Sequence, residues 1–157
     1  MKECVEVMVH TATGNARQRP SDPPRQPTVL IVDDDATARL ALAASAHAEG
    51  YHISFACSGT DAQERMDDIG PDVVVCDLMM ETVRGDDLCR WMKAHPKWRL
   101  VPIVAVTELD NSILRADLLA AGADSVLAKK NVARELGAHV MAALRVRETY
   151  LNLLENR

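Results

Sequence analysis

Residues 71–80, PDVVVCDLMM, decide how the rest of the chain is interpreted. After the turn-forming Pro71, three valines and a cysteine form an uninterrupted apolar run that ends at one carboxylate, Asp77. Such runs without polar alternation are typical of strands covered on both faces, which occur in parallel sheets packed between helices. Ligands of these sheets bind beyond the carboxyl ends of the strands. The pattern therefore predicts Asp77 at the ligand-binding edge of a parallel sheet.

Length and composition limit the possible classes of protein. The chain has 157 residues, enough for one domain with its own core, and 48% of them are hydrophobic. Aromatic residues make up only 3%, so we expect an aliphatic core that also uses Met. The net charge of −5 lacks the basic character of a nucleic-acid-binding surface, and we expect no direct contact with nucleic acid. No apolar run approaches the roughly 18 residues of a membrane span, and the amino terminus lacks a secretory hydrophobic region.

The cysteines and the amino-terminal segment carry no predicted function. The four cysteines form no CxxC pair, which predicts reduced, mostly buried thiols in a cytoplasmic protein and no metal site built on them. Residues 1–27 are predicted to be a disordered or linker-like extension, because TATGNARQRPSDPPRQP is polar, proline-rich and without periodicity. Upstream of it, CVEVMVH alternates enough to form a short strand.

A second apolar strand, TVLIV at residues 28–32, ends in three adjacent acids, Asp33, Asp34 and Asp35. Asp35 or Thr37 is suited to cap the helix that follows. Helix capping does not account for Asp33 and Asp34, which the strand delivers to the ligand-binding edge. A hard cation would relieve their repulsion, and Mg²⁺ prefers carboxylate oxygens and waters.

The remaining segments continue an alternation of strands and helices. We predict helices over residues 36–49, 60–68, 86–94 and 111–121 and from 132 onward, and strands over 51–56, 102–106 and 125–128. The strand over 51–56 is predicted to lie at an edge, because its sequence alternates. Five β-α units in sequence imply a parallel sheet with helices on both faces.

Polar residues close four of these strands: Asp33 with Asp34, Asp77, Thr107 and Lys129. A polar residue at one strand end is ordinary, but these form a coherent set for phosphoryl transfer to a carboxylate. A cation and an ammonium group neutralise phosphoryl oxygens, a hydroxyl donates a hydrogen bond, and a carboxylate attacks phosphorus.

With these residues in place, the sequence resembles the receiver domains of two-component response regulators over residues 27–147. The resemblance is carried by a specific order and spacing of motifs: Asp33-Asp34, Asp77 in VVVCDLMM, Gly85, Thr107 in PIVAVT, Ala121-Gly122-Ala123-Asp124, and Lys129. It implies a doubly wound, five-stranded parallel α/β fold with strand order 2-1-3-4-5 and helices on both faces.

The resemblance also implies roles for individual residues. Asp77 would accept a phosphoryl group from a phosphohistidine on a sensor histidine kinase or a histidine phosphotransfer protein. Asp33, Asp34, Asp77 and the backbone carbonyl of Met79 would hold Mg²⁺, and Thr107 and Lys129 would engage the phosphoryl oxygens. Such a protein is a phosphoacceptor signalling domain whose own chemistry is limited to self-catalysed phosphoryl transfer and hydrolysis.

Several positions depart from the usual receiver pattern. Glu81 stands where Pro is usual and Arg84-Gly85 where Asp-Gly is usual, Val126 replaces an aromatic switch residue, and Lys130 replaces a proline. These departures leave the phosphorylation residues intact. They affect the loop around the site and the usual coupling between the Thr and the aromatic residue.

Two alternatives remain open at this point. Residues 33–37, DDDAT, fit the DxDxT motif of haloacid-dehalogenase-like phosphatases, although that reading leaves Asp77 without a role. A degenerate receiver would keep the fold and act as a binding module without phosphorylation. An Mg²⁺-dependent mass gain of one phosphoryl group would separate these hypotheses.

The last predicted helix extends beyond what a receiver needs. Its stripe follows coiled-coil spacing through Leu136, Val140, Ala143, Arg147, Tyr150 and Leu154, with one polar break at Arg147. Residues 136–144 are expected to cover the sheet as core, which leaves Tyr150, Leu151, Leu153 and Leu154 for contact with a partner. We therefore divide the chain into residues 1–27, a receiver at 28–147 and a helical extension at 148–157, and expect a parallel homodimer through that extension. No effector sequence follows the receiver, which predicts either a stand-alone receiver or one separated from its effector.

Overall fold

The computed structural model describes residues 24–46, 50–80, 83–109 and 111–157, in which strands and helices alternate as predicted. The strands are β1 (Thr28–Val32), β2 (His52–Ala56), β3 (Val73–Asp77), β4 (Ile103–Thr107) and β5 (Ser125–Ala128). The helices are α1 (Ala36–Ala46), α2 (Gly59–Ile69), α3 (Gly85–Ala94), α4 (Ser112–Ala121) and α5 (Val132–Glu155). A 3₁₀ turn, Lys129–Asn131, joins β5 to α5. The predicted amino-terminal strand and the predicted end of α1 at residue 49 lie outside the described residues.

The five strands form one parallel sheet in the order β2-β1-β3-β4-β5, which confirms the predicted fold class and strand order. As predicted, β2 lies at an edge. The register pairs Val32 with Cys76, Asp77 with Val106, and Thr107 with Ala128. The polar residues that close these strands therefore reach the same edge of the sheet.

Both faces of the sheet are buried, which explains the continuous apolar run in β3. Val74 and Cys76 pack in one cluster with residues of α2, α3 and α4. Val73 and Val75 pack in a second cluster with residues of α1 and α5. Burying an aliphatic side chain of this kind contributes about 1.5–3 kcal/mol. A polar residue within the run would lose that contribution on one face.

Local sequence signals set the helix ends. The carboxylate of Asp35 accepts a hydrogen bond of 2.9 Å from the backbone amide of Ala38, so Asp35 rather than Thr37 is the side chain that caps α1 through this amide. Asn111 caps α4 in the same way, through a 2.7 Å bond from the amide of Leu114. Gly122 ends α4 in a left-handed conformation with φ of 118°, as its place in the sequence predicts.

Helix α5 continues past the sheet without a break. Leu136 and Val140 are fully buried, whereas every residue from 148 to 157 is exposed. The sequence marked Arg147 as the one polar break in the stripe of this helix, and the structure shows what its side chain contacts. Its side chain is only 18% exposed, and its Nε lies 3.4 Å from Oδ1 of Asp72. Arg147 faces its own domain, so a seam can include only residues beyond it.

Arg147 belongs to a polar cluster at the amino-terminal edge of the sheet, which we call the Asp72 clamp (Arg25, Thr28, Asp72 and Arg147). The buried carboxylate of Asp72 accepts a 2.8 Å hydrogen bond from the backbone amide of Thr28. It also accepts two bonds, of 2.7 and 2.9 Å, from the guanidinium of Arg25. The clamp thus joins the segment before β1, the loop before β3 and the later part of α5.

None of the helices in the described part of the chain is both long enough and apolar enough to cross a bilayer. Among the same residues, Cys76 and Cys89 are buried thiols, and the half-buried thiol of Cys57 lies 3.5 Å from Oδ2 of Asp61.

Candidate functional site

The carboxyl edge of the sheet gathers the acids that the sequence singled out. Asp33 and Asp34 follow β1 directly, and Asp77 is the last residue of the neighbouring strand β3. One carboxylate oxygen from each of the three lies within 4.8 Å of the others. Asp33 and Asp77 are buried and Asp34 is exposed. Three like charges at this separation repel one another unless a cation or a proton intervenes.

Asp33 is held rigidly, with one oxygen left for another partner. It is 1% exposed, and its Oδ1 accepts a 2.9 Å hydrogen bond from the amide of Asp35. The guanidinium of Arg39 donates a 2.8 Å bond to its backbone carbonyl. Its Oδ2 is buried and accepts no hydrogen bond from any residue that the structure describes. Burial raises the pKa of Asp33, and the amide of Asp35 partly offsets this.

Asp77 is 3% exposed, and its environment disfavours its charged form. Burial, and after it the charge of Asp33, raises its pKa from the ordinary value of 3.8 to about 6. Lys129 and a hydrogen bond from the backbone amide of Met79 act in the opposite direction. At neutral pH the carboxylate is thus the major form, and it is more basic than an exposed aspartate, which favours nucleophilic attack.

Lys129 reaches the acids from the end of β5. Its Nζ lies 3.5 Å from Oδ1 of Asp77 and 3.5 Å from Oε1 of Glu108. Partial burial acts to lower the pKa of Lys129, but the carboxylates of Asp77, Asp33 and Glu108 outweigh it and raise that pKa. The ammonium group therefore stays charged at neutral pH.

Thr107 is the last residue of β4 and is buried. Its hydroxyl oxygen accepts a 3.1 Å hydrogen bond from the backbone amide of Leu109. Because the hydroxyl oxygen already acts as an acceptor, its own hydrogen can be donated to an anion at the carboxyl edge.

Gly85 lies where backbone segments approach most closely behind Asp77. Its amide donates a 3.0 Å hydrogen bond to the carbonyl of Leu78. A Cβ at this position would collide with the carbonyl oxygen of Asp77 and lie 2.9 Å from the Cα of Leu78. A side chain here would displace the backbone that carries the acceptor carboxylate, which gives a physical reason for glycine.

The structure brings the predicted site residues to the carboxyl edge of the sheet. Asp33, Asp34, Asp77 and Lys129 come together, and Thr107 closes the strand between those that lead to Asp77 and Lys129. The backbone amide of Met79 donates a hydrogen bond to the carboxylate of Asp77. The role of the Met79 carbonyl as a ligand of Mg²⁺ stays a prediction. Sequence reasoning missed the ion pair between Glu108 and Lys129. The register of β4 and β5 would have been needed to find it.

The acid cluster suits a hard divalent cation. It supplies carboxylate oxygens from Asp33, Asp34 and Asp77, the donor type that such ions prefer, within 4.8 Å of one another. The unsatisfied Oδ2 of Asp33 is a second indication, because buried polar atoms normally have a partner.

Comparison with known proteins identifies the family. The sequence model of the response regulator receiver domain matches residues 29–141. The chain belongs to this family. The receiver is a signalling domain, and the family match favours it over the phosphatase alternative, in which Asp77 had no role.

Two curated relatives are similar in sequence to the receiver part of this chain. The chain is 35% identical over 118 residues to the sensory transduction protein RegX3 of Mycobacterium tuberculosis, covering 75% of this chain and 51% of RegX3. It is 31% identical over 119 residues to the phosphate regulon transcriptional regulatory protein PhoB of Rhizobium meliloti, covering 76% of this chain and 52% of PhoB. The chain thus spans about half the length of these curated relatives.

Solved structures share the receiver fold. The signal receiver domain of a signal transduction histidine kinase from Syntrophus aciditrophicus has a TM-score of 0.69 and 28% identity, and the match covers 76% of this chain and 90% of that one. The chemotaxis protein CheY4 of Vibrio cholerae matches in fold, with a TM-score of 0.69 at 22% identity over 76% of this chain and 99% of that one.

The structure shows the contacts of two residues that depart from the usual receiver pattern. Val126 is buried in the cluster formed with α2, α3 and α4. Arg84 precedes α3 and pairs with Asp86, with 3.1 Å between Nε and Oδ1. Glu81 lies outside the described residues.

Proposed function

We propose that this receiver is a phosphorylation-dependent switch that accepts a phosphoryl group on Asp77 in an Mg²⁺-dependent reaction. The donor is a phosphohistidine on a sensor histidine kinase or a histidine phosphotransfer protein. The observation that carries the proposal is the position of Asp77. It is buried beside Asp33 and Asp34 and lies 3.5 Å from the ammonium of Lys129.

The transfer needs a nucleophile and a set of positive partners. A carboxylate oxygen of Asp77 forms a bond to phosphorus while the bond from phosphorus to the imidazole nitrogen breaks, and the imidazole leaves with the electron pair. The ammonium of Lys129 pairs with one oxygen of the transferred phosphoryl group, and the hydroxyl of Thr107 donates a hydrogen bond to another of its oxygens. The raised pKa of Asp77 makes its carboxylate a stronger nucleophile while leaving it mostly ionised at pH 7.

The acids would hold the cation. Asp33, Asp34, Asp77 and the carbonyl of Met79 are the proposed ligands, and the unsatisfied Oδ2 of Asp33 supports the assignment. When bound, Mg²⁺ supplies positive charge that offsets the repulsion between the phosphoryl group and the carboxylates. We place the protein in the cytoplasm, where free thiols such as those of Cys76 and Cys89 stay reduced. The only reactions that it catalyses are the transfer of the phosphoryl group to its own Asp77 and the hydrolysis of the resulting acyl phosphate.

The test of this function is a change in intact mass. Incubation with Mg²⁺ and a small phosphodonor is expected to add one phosphoryl group, and the added mass should be lost in mild alkali, as an acyl phosphate requires. A chelator in place of Mg²⁺ should prevent the gain. Absence of any mass gain from both a small donor and a phosphorylated histidine phosphotransfer protein would favour a degenerate receiver instead.

The exposed end of α5 supports a second proposal, that residues 148–157 extend the receiver at 28–147 and pair with a second copy of the chain. Apolar side chains are exposed along this end on an unbroken helix: Tyr150, Leu151, Leu153 and Leu154. Arg147 is engaged with Asp72, so the seam begins at Tyr150. A contact of this length is short, and we expect a weak dimer that phosphorylation shifts.

Light scattering should therefore give a molar mass between monomer and dimer that rises with protein concentration. Combining Tyr150→Glu with Leu154→Glu is expected to return the chain to monomer, because two acids would be buried in the seam. The matched control, Thr149→Glu, places an acid on an exposed polar position and should leave association unchanged. A monomer at all concentrations, with and without Mg²⁺ and a phosphoryl mimic, would refute this pairing.

A further inference from the structure

Glu108 occupies a position beside the phosphorylation site that the proposed reaction does not use. It follows Thr107 directly, and its Oε1 lies 3.5 Å from the Nζ of Lys129. The same ammonium lies 3.5 Å from Oδ1 of Asp77. Lys129 is therefore shared between the predicted acceptor and a carboxylate whose side chain is 72% exposed.

The sheet register explains why the two residues meet. Thr107 of β4 pairs with Ala128 of β5, so the next residues of these parallel strands, Glu108 and Lys129, leave the sheet side by side. The hydrogen bond from the amide of Leu109 to the hydroxyl of Thr107 closes the chain around Glu108 and restrains it at this edge. The backbone thus places the two side chains within reach of each other.

We propose that Glu108 is a specificity-determining residue that makes Asp77 discriminate against strongly anionic phosphodonors, an inference that rests on the proposed phosphorylation of Asp77. Glu108 acts through Lys129 and through its own charge, and is a positioning residue. It draws the ammonium toward itself before the reaction. It also adds a negative charge on the exposed side of Asp77.

Electrostatics determines the direction of the effect. A donor must bring its phosphoryl oxygens to Lys129, so the ammonium has to exchange the Glu108 carboxylate for those oxygens. The more negative the donor, the more strongly Glu108 opposes its approach, because like charges at this distance repel even when partly screened by water. A protein donor supplies further contacts that offset this repulsion, and a small donor has none to supply. Glu108 therefore favours phosphorylation by a protein over phosphorylation by free acyl phosphates.

The alternative is an ordinary surface ion pair without a role in the reaction. Exposed pairs of this kind contribute little to stability, so replacing Glu108 should not unfold the domain. This allows the reaction to be measured in folded variants.

The experiment compares second-order rates of acyl-phosphate formation for the wild-type chain, Glu108→Gln, Glu108→Ala and the control Glu64→Gln, at an exposed position on α2. Two donors are used with saturating Mg²⁺: acetyl phosphate, the more negatively charged, and phosphoramidate, the less. In each, Asp77 gains a bond to phosphorus while the bond from phosphorus to the leaving group breaks. Acetate leaves in the first case. In the second, ammonia leaves, because the nitrogen of the phosphoramidate monoanion is already protonated.

Both Glu108 variants are expected to react with acetyl phosphate about three- to tenfold faster than wild type at low ionic strength. The gain with phosphoramidate should be smaller, and both gains should shrink as salt is added. Glu64→Gln should match wild type. A merely structural role would not change the preference between the donors.

Two results would overturn the inference. If wild type is phosphorylated and the Glu108 variants keep its rates, the inference fails and the proposed function stands. The inference also fails, and the proposed function stands, if the Glu108 variants raise the rate equally for both donors at every ionic strength. If neither wild type nor any variant is phosphorylated by either donor or by a phosphorylated histidine phosphotransfer protein, the proposed function itself is wrong.

Discussion

Replacing Asp77 with Asn is expected to abolish acyl-phosphate formation. An amide is a poor nucleophile and a poorer ligand for Mg²⁺. Intact-mass measurements with Mg²⁺ and a small donor should show no added phosphoryl group. Asp68→Asn, at an exposed position on α2, is the matched control and should be phosphorylated like wild type. Uptake at the wild-type rate by the Asp77 variant would show that the acceptor lies elsewhere.

The same substitution should stabilise the protein when Mg²⁺ is absent. The pKa of Asp77 is raised from 3.8 to about 6, so folding disfavours its carboxylate form. This cost is present above about pH 6 and disappears below about pH 4, where the carboxyl group is protonated in both states. The difference between the two pKa values corresponds to about 3 kcal/mol. Losing the attraction to Lys129 reduces the benefit, so we expect a gain of about 1–3 kcal/mol at pH 8.

Urea unfolding with a chelator, at pH 8 and again near pH 4, measures this gain. Because Asn does not titrate, the difference between the two proteins should narrow as the pH falls. Added Mg²⁺ should stabilise wild type more than the variant, since binding to the native state adds to its free energy of unfolding. A variant that is less stable than wild type at pH 8 without Mg²⁺ would contradict the cost of burying the charged Asp77 carboxylate beside Asp33.

The second large effect is expected at the Asp72 clamp, on the opposite edge of the sheet. Asp72→Ala removes the acceptor for the buried amide of Thr28 and leaves the guanidinium of Arg147 without its carboxylate. Breaking a buried pair of this kind costs about 3–5 kcal/mol. The contribution of Arg25 is discounted because its side chain is 59% exposed. We therefore expect a loss of about 2–4 kcal/mol in the free energy of unfolding.

A graded series separates the parts of the clamp. Asp72→Asn keeps an oxygen for the amide of Thr28 and should cost less than Asp72→Ala. Arg147→Gln should cost about 1–2 kcal/mol and Arg25→Gln less than about 1 kcal/mol. Urea unfolding of the double variant Asp72→Asn with Arg147→Gln gives the coupling energy between the two residues. A free energy of unfolding for Asp72→Ala within about 0.5 kcal/mol of wild type would mean that the clamp does not stabilise the domain.

The sequence by itself determined the fold class and the composition of the acid cluster. Continuous apolar runs such as residues 73–76 indicate strands buried on both faces, and their alternation with helices leaves a parallel sheet as the consistent arrangement. The carboxyl ends of parallel strands share one edge, so the acids after β1 and Asp77 at the end of β3 had to approach one another. Thr107 and Lys129 were found in the same way, as the polar residues at the ends of the next two strands, and the resemblance to receivers implied their roles toward the phosphoryl oxygens.

Only the tertiary structure decided which side chains meet through strand register and which ones are buried. Glu108 and Lys129 meet because β4 and β5 pair in one register, which local sequence does not specify. Arg147 resembled a seam residue because helical spacing shows which residues share a face but not what that face contacts, and in the fold it contacts Asp72. Asp77 gains its raised pKa from burial and from the charge of Asp33, which follows a strand more than forty residues earlier. Interactions over such distances along the chain arise only when the strands have come together.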